Sequence, residues 1–228
     1  MRQRILCLLM GLLATSWGVG EVRAEGRDRA KLLARAMRGA LVLNHKRYAE
    51  EPVFVRHCRD ARAGCTARLE AFSHYFEEAG NRHHVDPWLL AAMAFRESSL
   101  NPFATGALGE RGLLQMHPKS PWGRQVRFVK DSQFRARCTR QTGACQKELI
   151  ERATDLLARS LRLCDGDVSA ALGSYNTGRC GGNPDYAKKV LETRNALRGS
   201  VGLGPVAPKE VPFQPLQASF GQPSPLVY

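Results

Sequence analysis

The sequence predicts a mainly α-helical protein. Apolar residues recur at three- and four-residue steps through most of the chain, and these stripes begin and end at recognisable helix signals. The length of 228 residues suffices for one domain with a core plus appendages.

The first 24 residues, "MRQRILCLLMGLLATSWGVGEVRA", join a basic start to a short apolar run and a small-residue cleavage site, the pattern of a secretory leader. The run is too short and too rich in glycine to span a bilayer well, so no stable membrane span is expected after cleavage. A basic amphipathic helix is predicted from about Asp28 to Tyr48, with Leu32, Leu33, Ala36, Met37, Ala40 and Leu41 on one stripe. A cysteine-bounded loop leads into "TARLEAFSHYFEEAGNRH", read as a helix ending near Gly80 or Asn81.

The next helix has a cap at Asp86, a proline at its first position, and the run "WLLAAMAFRE" to Glu97; Asn101-Pro102 stops it. One short helix is expected from Gly112 to Met116, and the basic segment from Arg124 to Arg140 has no clear pattern. "QKELIERATDLLARSLRLC" and "DVSAALGSY" read as two further helices, the second capped by Asp167. A last helix opens at Asn183-Pro184 and stops at Gly199, after which proline and glycine replace apolar periodicity.

The implied organisation is a leader (1–24), a basic helical segment (25–65), a helical domain (66–198) and a Pro/Gly-rich tail without a packed core (199–228). The tail is a candidate docking segment for an envelope or secretion complex. Beyond the leader stand Cys58, Cys65, Cys138, Cys145, Cys164 and Cys180, an even number that fits disulfides in an exported chain, with nearest-neighbour pairing suggested by the spacing. Neither short gap has zinc-ligand spacing, and His83-His84 reads as a hydrophilic helix end, so no metal is expected. The net charge of +13 favours polyanions. Export directs that preference away from nucleic acid, toward an acidic wall polymer or an anionic membrane face.

Glu97 is the residue that points to chemistry. It falls on the last turn of its helix, where the negative end of the helix dipole disfavours a carboxylate, and Leu90, Met93 and Ala94 make its face apolar. Both effects raise its pKa, the condition for a carboxyl that serves as a general acid near neutral pH.

The segments "ESSLNP", "GALGERGLLQMHP", "ALGSYNTG" and "YAKKVL", in that order, resemble the soluble lytic transglycosylase family over roughly Phe72 to Leu197. The resemblance implies a lysozyme-like helical domain with a deep saccharide groove, acting on peptidoglycan without a cofactor. It makes Glu97 the catalytic acid/base and Ser98 its orienting neighbour. Gln115 would line the saccharide groove. Tyr175, with its hydroxyl close to the catalytic carboxyl, and Asn176 would close the groove from the other side, and Tyr186 matches an aromatic before the final helix. Many family members carry a serine nine positions after the glutamate, near the substrate's N-acetyl group; this chain has Gly106, with Thr105 beside it as the substitute expected to reach the substrate.

The implied reaction cuts the β-1,4 bond between N-acetylmuramic acid and N-acetylglucosamine. Glu97 protonates the bridging oxygen and then, as a carboxylate, takes the proton of the muramic acid C6 hydroxyl that attacks C1, leaving a 1,6-anhydro end. No second carboxylate is needed, unlike in ordinary glycosidases. Two alternatives stand beside this reading: a lysozyme-type hydrolase, for which Glu110 is the second carboxylate to watch, and a non-catalytic wall-binding or assembly protein.

Overall fold

The computed structural model describes residues 26–41, 65–138 and 142–207. The leader, Cys58 and everything after residue 207 lie outside the described residues. Among the described residues, eight α-helices and a turn of 3-10 helix (Gly123–Gln125) follow one another, with no β-strand beyond isolated bridges. The helices are α1 (26–41), α2 (Thr66–His83), α3 (Pro87–Ser98), α4 (Arg127–Lys130), α5 (Ser132–Arg137), α6 (Thr142–Leu163), α7 (Val168–Thr177) and α8 (Pro184–Gly199). The protein is thus mainly α, as the periodicity predicts.

α3 is the centre of the fold. Asp86 accepts the Trp88 N–H at 2.9 Å, Pro87 sits where a missing N–H costs nothing, and Trp88 through Ala94 are all buried. A helix apolar on every side needs neighbours all around it. α2 supplies Leu69, Phe72, Phe76 and Ala79, and α8 packs along another side with Ala187, Val190 and Leu197. α6 lies across α2 and brings Leu149, Ile150, Ala153 and Leu157 into the same core, while Leu33, Ala36, Met37 and Leu41 of α1 complete it. The basic segment of α1 therefore shares one core with the helical domain.

Two expectations change. Gly80 does not end α2, which runs on to His83 and closes with His84 in the left-handed region. A Cβ on Gly80 would lie 2.5 Å from the Val85 carbonyl oxygen, so this glycine is required by the chain doubling back toward α3. Gly112–Met116 is a turn and not a helix. Arg111 and Met116 exchange backbone hydrogen bonds at 3.0 and 3.1 Å, and Gly112 (φ 78°) and Gln115 (φ 45°) are left-handed. The unassigned basic stretch forms the short helices α4 and α5, the latter capped by Asp131, which accepts the Phe134 N–H at 2.8 Å.

Beyond α8, residues 200–207 run back along that helix. Arg198 Nε donates to the Gly204 carbonyl at 2.9 Å and fully buried Arg194 donates through Nη2 to Val206 at 2.5 Å. Cys138 bonds Cys145 and Cys164 bonds Cys180, the nearest-neighbour pairs; Cys65 is also disulfide-bonded. Cys164–Cys180 closes a loop around all of α7. Replacing both of these cysteines by serine is expected to lower stability by about 3 kcal/mol, read as a reduced denaturant midpoint with helical circular dichroism retained at zero denaturant.

Candidate active site

The groove beside the end of α3 has a volume of about 420 Å³ and is lined by Glu97, Gly106, Leu108, Glu110, Gln115, Met116, His117, Ser120, Leu156, Tyr175 and Asn176. Its floor is set by how α3 ends. Ser99 and Leu100 both turn left-handed, the Leu100 N–H returns to the Ala94 carbonyl at 3.3 Å, and Leu100 is buried. This leaves Glu97 half-buried at the groove's edge, one residue before the helix stops.

Burial holds the Glu97 carboxyl up at about 7, from an ordinary 4.5. The Tyr186 hydroxyl works against that by donating to Oε1 at 2.5 Å, Glu110 across the groove raises it, and Arg96 lowers it. Burial likewise pushes the Tyr186 and Tyr175 hydroxyls upward, with Glu97 adding to both, so each stays a protonated donor. The site is thus a carboxyl neutral to near pH 7, with one oxygen engaged by a tyrosine, opening on the groove. Such a group can give a proton to a substrate oxygen and take one back.

The wall opposite is the loop from Ala104 to Met116, held by side chains from three helices. Ser98 Oγ of α3 donates to the Leu113 carbonyl at 2.8 Å. Gln146 of α6, fully buried, accepts the Leu113 N–H at 3.0 Å and donates to the Pro102 carbonyl at 3.3 Å. Tyr175 of α7 donates to the Leu114 carbonyl at 2.8 Å. Each satisfies a backbone group that water cannot reach. Gly112 lets the loop lie flat on α6, since a Cβ there would stand 2.5 Å from Leu149 Cδ1.

The residues named from sequence separate into two groups. Glu97, Gln115, Tyr175 and Asn176 line the groove. Ser98 touches the loop backbone and its own helix, with no bond to the Glu97 carboxyl among the described residues. Thr105 is exposed and accepts from Arg111 at 2.5 Å, away from the groove lining. Tyr186, outside the lining, donates its hydroxyl to Glu97, while the Tyr175 hydroxyl, expected close to that carboxyl, donates to the Leu114 carbonyl. Asn176 Oδ1 accepts from Asn183, the N-cap of α8, at 2.8 Å. Asp86 and Asp167 serve as helix caps, and His83 pairs with Glu151 at 2.8 Å; no group that would hold a metal occurs among the described residues.

Sequence reasoning missed Gln146. Its signal was a polar residue on the apolar face of α6, three before Leu149 and four before Ile150.

The family model for the transglycosylase SLT domain matches residues 74–189, a little over half of the chain and all of the groove residues named above.

Two outcomes follow from this geometry. Because the folded protein holds the Glu97 proton from 4.5 up to about 7, stability should fall as pH rises through that window. Glu97→Gln should abolish the fall and melt higher above pH 7, by at most about 3 kcal/mol. Gly112→Ala should cost about 1–3 kcal/mol, seen as a lower melting temperature, because both its φ and its contact with Leu149 resist a side chain.

Proposed function

The chain belongs to the soluble lytic transglycosylase family, and from that premise we propose that it cleaves the β-1,4 bond between N-acetylmuramic acid and N-acetylglucosamine in peptidoglycan, leaving 1,6-anhydro ends. The observation that carries this is Glu97: a half-buried carboxyl at the end of an apolar helix, neutral to about pH 7, open to a groove. In the proposed cycle Glu97 gives its proton to the bridging oxygen as the C1–O bond breaks. The substrate's acetamido oxygen supports the cation at C1. The Glu97 carboxylate then removes the C6 hydroxyl proton as O6 closes on C1, so the proton balance is zero and no water enters. Tyr186 holds the carboxyl in place throughout, and Gln115, Tyr175 and Asn176 shape the groove around the sugar. The disulfides support action outside the cytoplasm, in the periplasm or beyond the cell.

One observation favours lysozyme-type hydrolysis as a second reading. Glu110 lines the same groove as Glu97, so a second carboxylate is present on the substrate side.

Mass spectrometry of sugars released from purified peptidoglycan separates the two. Anhydro ends are expected, with Glu97→Gln lowering the rate about 10²–10⁴-fold while still binding glycan. Reducing ends, about 18 Da heavier because water completes the reaction, would select hydrolysis. Unchanged release by Glu97→Gln would overturn both. The proton-donating form is lost as pH rises, so the rate should fall through about pH 7.

A further inference from the structure

Glu110 lines the groove but has no part in the transglycosylase cycle. The loop from Gly106 to Glu110 closes on itself: the Gly106 N–H donates to the Glu110 carbonyl at 3.0 Å and the Gly109 N–H to the Gly106 carbonyl at 3.1 Å. This folds the Glu110 side chain back over Gly106, where Oε2 accepts the Leu108 N–H at 3.0 Å. A Cβ on residue 106 would collide with that oxygen and stand 2.9 Å from Gln115 Oε1. Gly106 is not left-handed, and all that a side chain there would meet are the ends of Glu110 and Gln115, which would have to swing aside.

The Gln115 amide has only one orientation. Its Nε2 donates to the carbonyls of Ala104 at 3.2 Å and Gly112 at 2.8 Å, which leaves Oε1 turned toward Gly106. A carboxylate and an amide oxygen therefore converge on one point of the groove wall. Neither Gln115 Oε1 nor Glu110 Oε1 receives a hydrogen bond among the described residues. Gln115 Oε1 and the second oxygen of Glu110, on two side chains that both line the groove, are thus acceptors left for a ligand that supplies a donor.

We infer that Glu110 and Gln115 form a paired acceptor that binds an N–H or O–H donor of the amino-sugar chain beside Glu97. This rests on the saccharide reading of the groove and adds to it a specificity: the wall at residue 106 offers only acceptors, where a hydroxyl-bearing residue would offer a donor as well. The same carboxylate faces Glu97, whose other neighbours are Tyr186 from α8, Tyr175 from α7 and Arg96 on its own helix. Removing the Glu110 charge should therefore also make Glu97 a stronger acid.

The test measures binding of soluble, uncross-linked peptidoglycan strands to the full chain carrying Glu97→Gln, so that nothing is cut. Adding Glu110→Ala is expected to raise Kd about tenfold, the loss of one hydrogen bond to a charged group. Adding Glu110→Gln, which keeps an oxygen for the Leu108 N–H, should weaken binding similarly. Full affinity in the Gln variant would mean that Glu110 only braces its loop, and overturns the inference. Full affinity in both variants does the same, while leaving the role of Glu97 standing. No binding by Glu97→Gln alone would overturn the saccharide reading and this inference together.

De-N-acetylated strands identify the donor. If it is the C2 nitrogen, the freed ammonium binds tighter and loses that advantage with Glu110→Gln; equal affinity assigns a hydroxyl. Gly106→Ser should weaken binding alone and add nothing to Glu110→Ala, because both remove the same carboxylate from its place. With Glu97 intact, Glu110→Gln should move the basic limb of the pH–rate profile downward, because the Glu110 charge helps hold the Glu97 proton.

Discussion

The burial of α3 is the constraint from which the rest follows. A helix with no polar side must be wrapped, and α2, α8 and the α6 layer wrap it. Its C-terminal end is then the place where a carboxyl comes to rest in poor solvent without leaving the protein surface altogether. Dehydration and the end of the helix both work against a charge there. The wrapping helix α8 carries the Tyr186 hydroxyl that answers Glu97, so packing and chemistry share an element.

The opposite wall solves a different problem. A loop pressed into a core has backbone groups that need partners, and a sheet or helix cannot supply them here. Ser98, Gln146 and Tyr175 do so from three separate helices, all onto Leu113 and Leu114. The wall is consequently tied to the bundle at several independent points, which holds Gln115 facing the groove in a left-handed backbone conformation. Cys164–Cys180 adds a covalent brace to the helix bearing Tyr175.

Much of this was legible in the sequence for local reasons. Asp86-Pro87, Asp167 and Asn183-Pro184 mark helix starts because caps and first-turn prolines act within a few residues. Glu97 stood out because the helix residues on its own face, Leu90, Met93 and Ala94, are all apolar. What failed to show depended on partners distant in the chain. Gly80 resembled a stop signal, but its need comes from Val85 and Pro87 folding back upon it. The segment Gly112–Met116 resembled a helix until Arg111 found Met116 across a turn. The hydroxyl on Glu97 comes from 89 residues away, and no spacing rule selects Tyr186 over Tyr175 for it.

The Tyr186 bond also has a consequence for timing. It engages Oε1 and leaves Oε2 without a hydrogen bond among the described residues, so both proton transfers of the proposed cycle are assigned to Oε2. A single atom must release its proton to the departing strand and be vacant before the internal hydroxyl arrives. The two half-reactions are then forced into sequence at one address, and the dwell time of the departing strand in the groove enters the turnover directly. A groove that grips its product too firmly would stall its own second step.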